Sequence, residues 1–304
     1  MKNTFKDGKF FYVKKENIYA LITVMLWGTL APVNKITLNS LNGMSLVFYN
    51  CLTASIVLLI INLKRKGIYF LSEYETKDYL RIASLGILGV FMYYVFYYIG
   101  LDHLNSQIAS IVNNVWPTLI VIFSCLFLKE KMTSRKIVSL LLTLVGIIII
   151  SLKDGISGFT NEMLIGILAS FMAAVVYAIY SVFNKKYAYD QYAVQFINFF
   201  VTAICALLYC LFTKSLGHLT GSSILAVIWN GAICNGLAYL LWGIALNKGD
   251  TAKISLMAYL SPLFTMLFSY ILLKEEISII TIIGLVFIIG GIVVQNNLNF
   301  SNSV

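Results

Sequence analysis

The chain reads as an all-α membrane protein, with ten transmembrane helices forming two inverted five-helix repeats around a central cavity. Three observations predict this: apolar segments of bilayer-spanning length, one motif written twice, and basic residues confined to alternate connections. Of 304 residues, 60% are hydrophobic and 12% charged, about half the charged share of a water-soluble domain. A crossing needs roughly 20 apolar residues at about 1.5 Å of rise each. Ten such segments fall at about 17–38, 44–63, 79–101, 105–128, 134–152, 162–183, 191–213, 223–247, 251–273 and 277–296. The connections are short and leave no separate soluble domain.

The duplication is explicit. At a constant shift of 145 positions Pro117 falls on Pro262, Lys129 on Lys274, Glu130 on Glu275, Gly146 on Gly291, Tyr94 on Tyr239 and Tyr97 on Trp242. Trp27 and Asn34-Lys35 fall on Tyr177 and Asn184-Lys185 at a shift of 150, and Asn50 on Asn198 at 148. Residues 17–152 and 162–296 are therefore expected to be two copies of one five-helix unit. An odd number of crossings per copy forces the second to enter from the opposite face. Inverted repeats of this kind are the signature of a carrier.

Orientation follows from counting. With the N-terminus inside, 18 of the 22 Lys and Arg fall on the inner side, and only Lys35, Lys153, Lys214 and Lys274 fall outside. The positive-inside rule then places both termini, the basic arm 1–16 and the tail 297–304, in the cytoplasm, so the protein is expected in the cell membrane. The net charge of +9 is distributed between spans rather than gathered on one surface. Nucleic acid is therefore not an expected partner.

In chain order, the basic arm precedes an apolar run that continues through Pro32 and Lys35 without a small-residue cleavage site, so it reads as a retained first helix rather than a signal peptide. All five cysteines lie within spans and form no Cys-x-x-Cys pair, which points to neither a metal site nor a disulfide framework. Glycines in the third, eighth and tenth spans, among them Gly86, Gly231 and Gly291, let backbones approach where packing drives association in lipid.

Polar groups deep in lipid are costly, and they supply the candidate site. Pro117 removes the hydrogen bond to the Asn113 carbonyl and loosens the helix beside Asn114 and Trp116. Pro262 does the same for Ala258 beside Tyr259, and Pro32 for Gly28 beside Trp27. These freed carbonyls make a binding centre; the alternative is a set of bends that only shape the bundle. Tyr93, Tyr94, Tyr97 and Tyr98 form a second cluster, in which Tyr94 and its repeat partner Tyr239 are expected at the cavity, while Tyr98 suits an interfacial belt. Tyr177 and Trp242 enter as repeat partners of Trp27 and Tyr97. Asn50, Asn198 and Asn235 are single mid-span amides, placed either for substrate contact or for interhelical hydrogen bonds.

Small residues before a mid-span proline, a Lys-Glu end and a glycine-bearing following helix, present twice and preceded by Trp27-Gly28 with Lys35, resemble the EamA-type branch of the drug/metabolite transporter superfamily. The resemblance covers nearly the whole chain. It implies a ten-helix carrier with a cavity between the repeats, moving a small metabolite or drug by alternating access. This sequence departs from the family near Asn50, where many members carry a basic residue.

Absences narrow the chemistry. No Asp or Glu lies deep in a span; Asp102, Glu130, Glu162, Asp250 and Glu275 all sit at span ends. Carriers that exchange protons for cations commonly use an intramembrane carboxylate. The expected substrate is therefore neutral or zwitterionic and amino-acid-like, exported or exchanged, with no cofactor and no metal, and the expected partners are that substrate and the lipid bilayer. The competing reading is an integral-membrane enzyme acting on a lipid-type substrate, which needs a catalytic constellation that His103, His218 and scattered acids do not form.

Overall fold

The computed structural model describes residues 14–30, 32–33, 41–104, 109, 112–151, 161–274 and 279–296. Nearly all of the first sixteen residues, Lys35, Lys153 and the last eight residues lie outside them. The described residues contain helices and turns, without a strand. Among the described residues, six helices are long and apolar enough to cross a membrane: Gly43–Ser72, Thr76–His103, Asn161–Tyr187, Gln191–Phe212, Ser223–Lys248 and Thr251–Leu272. Trp116–Phe127 and Ile282–Val294 are shorter apolar helices.

By element, α1 is Lys15–Gly28, α2 Gly43–Lys66, α3 Thr76–Gly86, α4 Met92–His103, α5 Trp116–Phe127, α6 Ser134–Ser151 and α7 Asn161–Tyr187. Then come α8 Gln191–Phe212, α9 Gly221–Ile228, α10 Ala238–Lys248, α11 Thr251–Met257, α12 Ser261–Leu273 and α13 Ile279–Asn296. Side-chain caps define several starts: Asn42 accepts from the Ser45 N–H at 2.9 Å and Asp250 from the Lys253 N–H at 2.8 Å, each satisfying a donor the helix cannot.

Along α2 the usual amphipathic order is reversed. Leu52, Ile56, Ile60 and Leu63 form the exposed stripe, while Asn50, Ala54, Leu58 and Asn62 are buried. Lipid accepts the apolar face, and the amides turn inward because only protein supplies them partners. Asn62 Nδ2 donates to the Leu58 and Tyr192 carbonyls at 2.8 and 2.9 Å.

Several irregularities recur 145 positions apart. A π turn at Ile87–Phe91 joins α3 to α4, and a longer one at Trp229–Leu237 joins α9 to α10. The backbone turns at Asn114–Val115 before α5, and passes through a 3₁₀ turn at Ala258–Leu260 before α12. The expected fourth span, 105–128, is thus not one continuous helix, because a proline in the first turn lacks the N–H that would continue it. Lys129 and Lys274 both adopt left-handed backbone, with φ of 57° and 58°.

Packing repeats in the same sense. The helix pairs α2/α8 and α6/α13 are in contact; α4 packs on α7 as α1 packs on α10, α5 on α7 as α12 on α1, and α8 on the first π turn as α2 on the second. A Cβ added at Gly86 would lie 2.8 Å from Asn198 Cα, and one at Gly231 2.8 Å from the Asn50 carbonyl oxygen. Real Cβ atoms do not approach so closely, so both positions require glycine. In α6/α13, Ser139 Oγ donates to the Gly291 carbonyl at 2.6 Å.

Gly86→Leu and Gly231→Leu are expected each to destabilise the purified protein by about 1–3 kcal/mol, the usual cost of overpacking, read as a lower melting temperature in detergent. An unchanged melting temperature for both refutes the close-approach assignment.

Candidate functional site

A cavity of about 300 Å³ lies where α1, α2, α4, α7, α10 and the broken starts of α5 and α12 converge. The turn at Asn114–Val115 delivers Asn113, Asn114, Trp116 and Pro117 to its wall, and the 3₁₀ turn delivers Ala258, Tyr259 and Ser261. Trp27 comes from α1, Asn50 from α2, Tyr177 from α7, Asn235 from the second π turn and Tyr239 from α10. The α4 tyrosines Tyr93, Tyr94, Tyr97 and Tyr98 complete the wall.

The rings brace one another. Trp116 meets Tyr177 edge-on at 5.0 Å between centroids, Trp27 meets Tyr239 at 5.2 Å, and Tyr93 stacks on Tyr97 at 5.9 Å. Contacts of this geometry stabilise by about 0.5–1.5 kcal/mol each beyond area burial. Hydrogen bonds orient the polar members: Asn113 Nδ2 donates to Tyr93 Oη at 3.0 Å, and Thr118 and Tyr259 share one at 2.6 Å. Trp27 Nε1 donates to the Cys234 carbonyl at 3.1 Å, and Thr23 Oγ1 to the Ala238 carbonyl at 3.0 Å, so carbonyls in and beside the π turn are taken up by α1. Among the described residues the side-chain carbonyls of Asn50, Asn113 and Asn235 have no partner.

Of the residues singled out from sequence, Trp27, Asn50, Tyr94, Asn113, Asn114, Pro117, Tyr177, Tyr239 and Tyr259 line this cavity. Asn198, Trp242 and Pro32 do not. Asn198 donates to Tyr180 Oη at 3.0 Å and faces Gly86, so its close helix contact takes it away from the opening. Trp242 stands behind Trp27 and Trp116 and borders a narrower polar space with Tyr180, Asn184, Lys185 and Gln195. Pro32 is buried, and Pro262 belongs to the first turn of α12. Tyr98, assigned to an interfacial belt from sequence, is a cavity residue. Trp116, Tyr93 and Tyr97 join it because the α4 turns bring adjacent tyrosines onto one wall.

Sequence reasoning did not single out an ionic cluster at one end of the bundle. Glu130 accepts hydrogen bonds from Thr251 Oγ1 at 2.5 Å and Ser124 Oγ at 3.2 Å, and lies 3.4 Å from Lys136 Nζ and 3.7 Å from Lys185 Nζ. Lys185 Nζ also donates to Thr251 Oγ1 and the Gly249 carbonyl, at 2.7 and 2.8 Å. Four elements are thereby tied together. The signal available was Asn184-Lys185 ending one helix and Asp250-Thr251 starting another. Burial opposes ionisation of Glu130, but the Thr251 hydrogen bond and the charges of Lys185 and Lys136 outweigh it and hold the carboxyl below its ordinary value. Asp190 is likewise lowered: burial opposes its charge, and hydrogen bonds from Arg65 and Lys66 prevail.

The described residues hold no group of three or more His, Cys, Asp or Glu placed for a metal. A helical membrane bundle enclosing an aromatic and amide-lined cavity defines a multi-pass membrane transporter. The model of the EamA-like transporter family matches residues 14–152 and 164–296, and the chain belongs to that family; the lipid-enzyme reading falls with this. An uncharacterized transporter of Archaeoglobus fulgidus is 24% identical, over 91% of this chain and 96% of its own. One from Clostridium kluyveri is 26% identical, over 94% of each chain. The aromatic amino acid exporter YddG of Ancylobacter novellus is 30% identical over 60% of this chain and 64% of its own. A crystal structure 24% identical in sequence superposes with a TM-score of 0.84, over 93% of this chain and 96% of that one, and shows the same fold.

Because the folded pKa of Glu130 is depressed, its stabilisation is fully present above the ordinary carboxylate value of 4.5 and is lost as pH falls through the lowered value. The difference in melting temperature between wild type and Glu130→Gln is expected to be largest above about pH 5 and to vanish towards about pH 3. A difference that persists at the acid end contradicts this.

Proposed function

We propose that the protein is a secondary transporter moving small neutral or zwitterionic, amino-acid-like metabolites across the cytoplasmic membrane by alternating access, in export or exchange. In this reading ten spans form two inverted five-helix repeats, residues 17–152 and 162–296, with both termini in the cytoplasm. The support is, above all, a cavity whose described lining carries no charged side chain and comes from corresponding places in both halves, Tyr94 with Tyr239 and Asn113 with Ala258. The recurrence of π turns, broken helix starts and left-handed lysines at one shift supports duplication, and the paired contacts support a two-fold relation.

The ionic cluster supports the conformational part of the reading. Asn184, Lys185, Gln195, Trp242 and Tyr239 line a narrow polar space, and Tyr239 also lines the main cavity. Glu130 and Thr251 close its far end through Lys185. The positive-inside distribution assigns this end to the cytoplasm, so the arrangement is closed inward. Opening requires Glu130, Lys185 and Thr251 to separate. The name of the aromatic amino acid exporter among the relatives fits a ring-lined cavity.

Reconstituted vesicles test the reading with a panel of amino acids and related metabolites, with and without a pH gradient. Facilitated flux of a neutral or zwitterionic solute is expected, and strong pH-driven accumulation of a cation contradicts it. Tyr259→Phe removes the hydrogen bond to Thr118, a loss of about 1 kcal/mol or roughly fivefold, and Asn114→Ala removes a wall amide; both should lower flux while membrane insertion is retained. Normal flux in both variants overturns the cavity assignment. Labelling of Lys131→Cys and Lys274→Cys from one common face of the bilayer overturns the inverted repeat.

A further inference from the structure

The electrostatics of the cavity are one-sided. Of the nineteen described residues that line it, nine carry aromatic rings and none carries a formal charge. A tyrosine or tryptophan face is the negative part of the ring's quadrupole, so it attracts a cation and repels an anion. Removal from water strengthens that preference. Asn50, Asn113 and Asn235, each at most 7% exposed, add three side-chain carbonyl oxygens that no donor among the described residues reaches. A buried acceptor of this kind is unfavourable until a donor arrives.

Among the described residues no lysine or arginine lines the cavity to pair with a carboxylate, which is left with neutral hydroxyl and amide donors. Lys185, in the polar space beyond Tyr239, is engaged by Glu130, Thr251 and the Gly249 carbonyl. The other described lysines and arginines lie outside the lining.

Resting on the transport reading above, we propose that the cavity recognises a primary ammonium group carried on an aromatic scaffold, and that the carboxylate of an amino acid contributes little to binding. The ammonium sits against the ring faces of the α4 tyrosines and donates to the asparagine carbonyls. Arylalkylamines are then ligands in their own right, and deaminated aryl acids are not. The cavity volume of about 300 Å³ is at the small end for organic ligands and suits one bicyclic ring with a short side chain.

The test uses the purified full-length protein in detergent, with affinities obtained from ligand-induced shifts in melting temperature. Four probes share one indole: tryptophan, tryptamine, which lacks the carboxylate, indolepropionate, which lacks the ammonium, and tryptophol, which carries a hydroxyl instead. Tryptamine should bind within about threefold of tryptophan or tighter, and indolepropionate and tryptophol at least about tenfold more weakly. If tryptophan binds and tryptamine does not, or indolepropionate binds as well as tryptamine, the proposal is overturned and the transport reading stands. The same holds if no indole binds while another metabolite is carried in vesicles; if none of the metabolite panel is carried or bound, both fail.

A second measurement isolates the ring faces. Tyr94→Phe keeps the π face and should leave tryptamine affinity within about threefold, while Tyr94→Leu should lower it about tenfold and change tryptophol less. Equal losses for the two probes overturn the proposal. Should Tyr94→Leu fail to fold, Tyr97→Leu and Tyr97→Phe give the same comparison.

Discussion

The molecule depends on two close approaches of helix backbone, Gly86 against Asn198 and Gly231 against the Asn50 carbonyl. Lipid offers neither a hydrophobic drive to bring helices together nor water to satisfy what they expose. Contact has to come from shape, and shape here requires the absence of a Cβ. Each glycine borders or lies in a π turn, and each faces an asparagine-bearing segment of α2 or α8. Bringing α2 and α8 this close to the two π turns sets the positions of α4 and α10, and hence of Tyr94 and Tyr239.

From that constraint the polar interior follows. Extra backbone in a π turn and missing N–H groups at prolines leave carbonyls that a straight helix would have satisfied. Thr23 and Trp27 of α1 answer two of them across the bundle, at Ala238 and Cys234. At the cavity, the side-chain carbonyls of Asn50, Asn113 and Asn235 remain without a partner among the described residues. A charged cluster lies apart from the cavity, where Glu130, Lys136, Lys185 and Thr251 hold four elements together. An uncharged wall for a ligand and a charged tie between helices are thus separated along the bundle axis, with Tyr239 and Trp242 between them.

Much of this was legible in the chain because its physics is local. Apolar length gives a crossing, and a proline gives a break. Proline neighbours and mid-span amides are conspicuous against apolar surroundings, and Asn50, Asn113, Asn114, Asn235 and Tyr259, marked for that reason, line the cavity. Asn198 and Trp242 were marked as well and lie elsewhere. Nothing in their spacing distinguishes a residue at the opening from one in the layer behind it.

The sequence by itself determined the class of protein, the sites of helix breakage and the absence of deep carboxylates, because each is a property of one segment in its solvent. Only the tertiary structure decided which rings meet, that Tyr98 faces the cavity rather than the interface, and that Glu130 pairs with Lys185 and Thr251 over 55 and 121 positions. Those facts belong to pairs of segments. They depend on helix rotation and depth, which are set by the backbone contacts at Gly86 and Gly231 and not by any periodicity a single helix carries.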